Sequence, residues 1–345
     1  MVPLLTCTLL ITTRIESVVL CGDIMLNGIS VKQKPLEKIG PILRPTGAAL
    51  ANLEIPLTNA DKQTPNKSAD DVQKRNQFIL KADPGHAPAI AATGIDLVTL
   101  GNNHCMDYRV GGLRQMTALL DKNKVLHAGA GESRPLALAP TIFVAPDGRR
   151  IGLISALAFV GGGALGHCTP ARDNSPGIAT FNFGGRIDKK AKDQLAAMFT
   201  AARSQCDLLI VGLHWGIERQ TIPTPYQVEL GRACIDAGAD VVWGNHPHVL
   251  QGAEIYNGKP ILYSMGNLIS SKGGSTGVIK LVYEDGRFSR AQFFPLVISG
   301  GQVRPVTGTA GKAAVKSFQG LCGLLTKRFP SKSSIPFPLI APSHR

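Results

Sequence analysis

The chain has 345 residues, 44% hydrophobic and 18% charged, enough for one large domain or two ordinary ones with a sizeable core, and this excludes a disordered chain. No apolar run approaches the roughly 18 residues of a membrane-spanning helix, which argues against an integral membrane protein. Nine of the positive charges behind the net +13 lie after Asp285, where no acidic residue follows, so the first 285 residues carry only +4. Residues 2–13 are apolar enough to resemble a short signal segment, but they lack a basic start and a small-x-small cleavage site. Leu4-Leu5-Thr6-Cys7 is a poor lipoprotein box lying too close to Met1. The expectation is a non-exported chain, cytoplasmic or peripheral to a membrane, with export left open. Residues 17–21 and 48–53 read as buried strands, 84–93 as a helix, 96–100 as a strand and 111–123 as a helix. The strands 141–145 and 150–156 flank Pro146-Asp147-Gly148, a hairpin turn signal. Residues 161–176 read as an irregular loop in which Gly161-Gly162-Gly163 supplies flexibility. A helix at 188–204, a strand at 207–212, a helix at 225–237 and a strand at 240–244 follow, then late strands at 260–264, 277–283 and 288–297. Short apolar runs alternating with helical patterns predict βαβ units and an α/β fold. Two regions are expected: a main domain over 1–285 and a basic C-terminal extension over 286–345.

The seven cysteines are odd in number and scattered without C-x-x-C spacing, which argues against a disulfide framework or a thiolate zinc site. Polar clusters, by contrast, sit directly after the predicted strands. These are Gly22-Asp23-Ile24-Met25, Asn52-Leu53-Glu54, Gly101-Asn102-Asn103-His104, His214-Trp215-Gly216 and Gly244-Asn245-His246-Pro247-His248. Ligands of α/β sheets bind at the carboxyl ends of the strands, so five strands are expected to deliver Asp, Glu, Asn and His to one sheet edge. Each cluster alone has a plainer explanation, such as a turn cap or a satisfied loop histidine. Together they form a mixed oxygen and nitrogen donor set that suits Mn²⁺, Fe²⁺ or Zn²⁺. Two such ions sharing a carboxylate would generate hydroxide at neutral pH and clamp an oxyanion. His246 and His248, two residues apart in an extended loop, would point the same way.

These clusters, with Asp107-Tyr108 and Tyr263-Ser264-Met265-Gly266-Asn267, resemble the successive motifs of the CapA family, capsule proteins linked to bacterial poly-γ-glutamate synthesis. The resemblance runs from about Ser17 to about Tyr283. It implies a four-layer α/β/β/α sandwich of the calcineurin-like metallophosphoesterase type with one or two divalent metal ions. Carried over residue by residue, it implies Asp23, Glu54, Asn103, His214, His246 and His248 as metal ligands, Glu54 in the bridging position. It further implies His104 as a catalytic acid and Asp107 as the carboxylate that orients it. The phosphoesterase pattern Asp-x-His is broken by Met25 on the first strand, and its bridging Asp is replaced by Glu54, changes that CapA proteins share. Tyr263 to Asn267 reads as a strand entering a tight turn, with Asn267 either a structural residue or a substrate contact.

Three functions fit. The first is a CapA-like protein of poly-γ-glutamate synthesis with a metal-dependent hydrolase-type site, acting on a phosphorylated or γ-glutamyl substrate beside other capsule-synthesis subunits. The second is a metal-dependent phosphomonoesterase or phosphodiesterase. The third is a non-catalytic assembly module that grips an anionic polymer, or a membrane surface, through its basic C-terminal residues. Nucleic acid is not favoured, because those residues lack interleaved aromatics apart from Phe318 and Phe329.

Overall fold

A computed structural model describes residues 15–160 and 165–340. The apolar segment 2–13, Cys7, Gly161-Gly162-Gly163 and Arg345 lie outside the described residues. Strand β1 (Ile15–Ile24) leads through helix α1 (Gly40–Leu43) to β2 (Ala48–Leu53). Helices α2 (Ala69–Gln73) and α3 (His86–Thr93) precede β3 (Leu97–Thr99), and α4 (Arg109–Lys122) leads to β4 (Leu126–Ala128). Next come β5 (Ala130–Gly131), α5 (Arg134–Leu138), the hairpin of β6 (Thr141–Val144) and β7 (Arg150–Leu157), and β8 (Gly177–Ile178). Helix α6 (Lys189–Arg203), β9 (Leu208–His214), α7 (Pro225–Asp236) and β10 (Val241–Asn245) complete the alternating part. The remainder comprises β11 (Ala253–Tyr256), β12 (Lys259–Leu262), β13 (Asn267–Ile269), β14 (Gly274–Glu284), β15 (Arg287–Ser299), β16 (Gln302–Pro305), α8 (Gly308–Arg328), β17 (Ser334–Pro336) and β18 (Leu339–Ile340).

Two large sheets result. The first runs β16-β15-β14-β1-β2-β3-β4, with β13 beside β1 and β18 beside β15; the second runs β17-β11-β12-β10-β9-β7-β6. The period of two along each strand sorts side chains between layers. Val18, Leu20 and Leu50 of the first sheet meet Ile210, Val241 and Trp243 of the second in a shared inner core. Val19, Cys21 and Ala51 face outward instead, against Ile90 of α3 and Leu113, Met116 and Leu120 of α4. Leu209, Val211 and Val242 face Leu195 and Phe199 of α6 and Leu230 and Cys234 of α7. The layer order is therefore α/β/β/α.

Local sequence explains the helices. The Asp188 carboxylate accepts from the Ala191 backbone N–H at the start of α6, and Thr224 with Gln227 forms a capping box on α7, with Pro225 in its first turn. Asp285 and Gly286, both at positive φ, make the turn of the β14–β15 hairpin, so the expected boundary at 285/286 falls at that turn and β15 and β16 continue the first sheet. Helix α8, which the sequence reading did not anticipate, buries Gly311, Val315, Phe318, Cys322 and Leu325. Its Phe318 ring stacks on Phe293 with centroids 4.6 Å apart, inside the inner core. Among the described residues no helix is long and apolar enough to cross a membrane. Cys21, Cys105, Cys206, Cys234 and Cys322 are buried thiols that pack as small hydrophobes.

Candidate metal centre

The strand-end residues converge, but they come from two facing sheets rather than one edge. Asp23, Glu54, Asn103 and His104 lie at the ends of β1, β2 and β3, and His214, His246 and His248 at the ends of β9 and β10. The Trp243 indole N–H, on β10, donates to the Cys21 carbonyl on β1 at 2.9 Å and pins the two sheets together two residues before Asp23. The segment 263–267 is wedged between the same strands. The Asp23 N–H donates to the Gly266 carbonyl at 2.8 Å and the Met265 N–H to the Gly244 carbonyl at 3.3 Å. Glycine is required on both sides of the wedge, since a Cβ on Gly22 would sit 2.0 Å from the Gly266 oxygen and one on Gly244 2.0 Å from the Tyr263 oxygen.

Asp23 is fully buried and accepts from the Asn52 amide at 2.8 Å and from the His246 backbone N–H at 3.3 Å. Its Oδ2 lies 3.1 Å from His248 Nδ1, which also donates to Asn267 Oδ1 at 3.0 Å. Asn267 thus fixes the His248 ring. Glu54 is equally buried, and neither of its oxygens has a hydrogen-bond donor among the described residues. His214 Nε2 approaches Glu54 Oε1 to 3.2 Å and donates to Asn103 Oδ1 at 2.8 Å. His246 Nδ1 is buried and unpartnered. The loop that carries His246 and His248 is not extended, as its sequence suggested. Both residues have positive φ, 97° and 59°, and such strain, about 1–3 kcal/mol each, is typical of ligand-presenting loops.

Two groups of ligand atoms follow, Glu54 with His214 and His246, and Asp23 with Glu54 and His248, the atoms of each within 4.8 Å of one another. Glu54 belongs to both. Burial raises the Asp23 carboxyl, and repulsion from Glu54 adds to it; burial raises Glu54 as well. Burial pushes His214 down to about 3 and, with repulsion from His214 and His248, holds His246 well below the usual imidazole range. Burial also opposes a charge on His248, but Glu54 and Asp23 outweigh it and raise this imidazole to about 10. The neutral imidazoles of His214 and His246 and a carboxylate with orphaned oxygens are donors that suit a divalent cation, so the set fits one.

His104 stands apart from the ligand atoms but beside Asn103. Its Nδ1 lies 2.7 Å from Asp107 Oδ2, and the Leu80 N–H donates to the same oxygen at 2.8 Å. Sequence reasoning missed Lys67, whose ammonium is fully buried and donates to Asp107 Oδ1 at 2.5 Å, the Phe78 carbonyl at 2.9 Å and the Asn103 carbonyl at 3.1 Å. Three protons meet three oxygens, so His104 Nδ1, 3.2 Å from Nζ, keeps its own proton for Asp107 and leaves Nε2 free. Asn52, which the sequence placed beside Glu54 in one cluster without a role of its own, links Asp23 to His214 Nδ1, 3.3 Å away, and accepts from Thr99 and Asn102. Lys67 lies in a loop without periodicity, and nothing in the sequence tied it to a residue 40 positions on.

A family model described as "Bacterial capsule synthesis protein PGA_cap" matches residues 17–272. The capsule biosynthesis protein CapA of Bacillus anthracis is 28% identical over 309 residues, 85% of this chain and 70% of that protein. The PGA biosynthesis protein CapA of Bacillus subtilis strain 168 is 29% identical over 259 residues, 73% of this chain and 62% of that protein. The chain thus spans 62–70% of the length of these two relatives. Among solved structures, a phosphatase of Mycoplasma pneumoniae is similar with a TM-score of 0.47 and 12% identity, over 83% of this chain and 94% of that one.

Proposed function

This chain belongs to the PGA_cap family of bacterial capsule synthesis proteins, and on that premise we propose that it serves poly-γ-glutamate synthesis through a metal-dependent hydrolase-type site. The observation that carries the proposal is Glu54, a buried carboxylate with two unpartnered oxygens, shared by two groups of ligand atoms. Asp23, Glu54, Asn103, His214, His246 and His248 would hold one or two Mn²⁺, Fe²⁺ or Zn²⁺ ions. A divalent ion supplies hydroxide at neutral pH and stabilises an oxyanion. His104 acts through Nε2, taking or giving the proton of the attacked or departing group. Asp107 orients its ring, and Lys67 holds Asp107 in place. The substrate class is a γ-glutamyl or phosphorylated compound. The basic segment 286–345 offers a surface for an anionic polymer or for other capsule-synthesis subunits.

Metal analysis of purified protein after incubation with Mn²⁺ and desalting tests the site. Wild type is expected to retain metal, and Asp23→Ala and His246→Ala to lose at least about tenfold in affinity, the scale of losing a ligand or its support. Variants that carry as much metal as wild type would refute the assignment.

A further inference from the structure

The cleft over the ligand cluster has two lobes that meet at Phe159 and His246. The smaller, about 190 Å³, is of mixed character, walled in part by Asn76, His104, His167, Glu218 and Phe78. The larger, about 610 Å³, is walled by Phe159, Val160, Ile217, Pro225 and Tyr226. Val160 and Ile217 are 53% and 50% exposed, large aliphatic side chains left facing water beside a buried polar centre. Tyr226 is buried, and its hydroxyl has no hydrogen-bond partner among the described residues. Burial pushes this phenol up to about 12, so it is a neutral hydroxyl. Among the described residues no lysine or arginine lines either lobe, whereas Glu218 lines the first and Glu229 the second.

We propose that the larger lobe binds an uncharged, mainly apolar group of the substrate, next to the oxyanion group held at the metal cluster, with Tyr226 bonding one polar atom of it. The assignment rests on the metal reading above and narrows its substrate. Apolar walls with one placed polar group are the general form of a small-molecule site, and an unpaired buried hydroxyl gains most from a ligand that satisfies it. A second free carboxylate in this lobe would sit beside Glu229, with no described lysine or arginine side chain there to pair with it. The substrate is therefore an ester, amide or phosphate whose flanking group on this side is alkyl or aryl, not another ionised glutamyl unit.

Isothermal titration of the Mn²⁺-loaded chain with methylphosphonate, hexylphosphonate and 3-phosphonopropionate tests this. Each buried methylene contributes roughly a fourfold gain, so hexylphosphonate is expected to bind at least about tenfold tighter than methylphosphonate. The carboxylated probe should gain nothing. Ile217→Asp, at a half-exposed position that tolerates a polar residue, should shrink the hexyl advantage to under about threefold. Equal affinities for the methyl and hexyl probes, a carboxylated probe as tight as the hexyl one, or an undiminished gap in Ile217→Asp would overturn the proposal. If metal analysis of the same sample shows no bound Mn²⁺, the metal reading has failed instead. The lobe is then decided by titrating the metal-free chain with 1-hexanol and following the Val160 and Ile217 methyl resonances. Saturable shifts support it, and their absence overturns it.

Discussion

Glu54→Gln should stabilise the metal-free protein and lose most of the stability that metal confers on wild type. Without metal, Asp23 and Glu54 face one charged imidazole, His248, because His214 and His246 are held neutral by burial. Burial raises both carboxyls, so an ionised Glu54 is costly in this cluster, and its oxygens have no donors among the described residues. A buried unsatisfied polar group costs about 1–3 kcal/mol. With an unfolding entropy of roughly 2 cal/mol/K per residue, each kcal/mol is worth about 1.4 °C in a chain of this size. In chelator, Glu54→Gln should therefore melt about 1.5–4 °C higher than wild type. At a free Mn²⁺ concentration of about 100 Kd, wild type gains about 2.7 kcal/mol, or about 4 °C, and the variant little. The variant's lead is thereby cancelled at the upper end of that range and, where it is below about 2.7 kcal/mol, reversed. The pH dependence carries a sign of its own. The folded-state pKa of Glu54 is raised, so its cost is fully felt above that pKa and vanishes below the unfolded value of about 4.3, where the carboxyl is protonated in both states. The gap in chelator should accordingly close as pH falls. Differential scanning calorimetry at several pH values measures all of this. A variant that melts below wild type in chelator, or that gains as much from Mn²⁺, would refute the reasoning.

Lys67→Met strands Asp107 as an uncompensated buried carboxylate and should cost about 3–5 kcal/mol in urea unfolding. Adding Asp107→Asn should recover much of the loss, and strictly additive losses in that double-mutant cycle would mean the pair does not interact. Gly22→Ala forces a Cβ to 2.0 Å from the Gly266 oxygen, so it should lose about 1–3 kcal/mol and most of its metal together; wild-type metal content would show that the wedge does not place Asp23. Replacing Lys312, Lys316, Lys327 and Arg328 with Glu leaves the buried stripe of α8 intact, so Tm should change by no more than about 1–2 °C while the salt needed to elute the protein from immobilised poly-γ-glutamate falls. Unchanged retention would remove the basic segment as the polyanion surface.

The parts of the site that were legible in the sequence are those carried by strands. Asp23, Glu54, Asn103, His214 and His246 each follow a short Val/Leu/Ile/Ala-rich run, and such runs mark strands buried on both faces. A continuous apolar run does not say which sheet a strand joins. One edge was therefore expected where two sheets meet, and the inter-sheet bond from Trp243 to Cys21 had no sequence signature. Loops were less legible. His246 and His248 were expected to share a side through extended geometry; they adopt left-handed backbone, with the His246 N–H held by Asp23, and reach different ligand groups that share Glu54. Lys67 depends wholly on tertiary contacts and could not be found from spacing.

Helix α8 shows a different limit. Gly311, Val315, Phe318, Cys322 and Leu325 recur at intervals of four, three, four and three, the stripe of an amphipathic helix, so the signal was present. The unbalanced charge of the same segment suggested a basic extension separate from the main domain, because charge runs and buried stripes are read by different rules and here they coincide. The lysines and arginine occupy the outer side of a helix whose inner side closes the core between the sheets, where Phe318 stacks on Phe293. Truncating Phe318 alone should cost about 3–5 kcal/mol. Deleting residues 312–345 would therefore expose the inter-sheet core, and any loss of polymer binding would report unfolding rather than lost charge. Only substitutions that reverse charge on the exposed face separate the two roles of this helix, one in holding the fold and one in meeting an anionic partner.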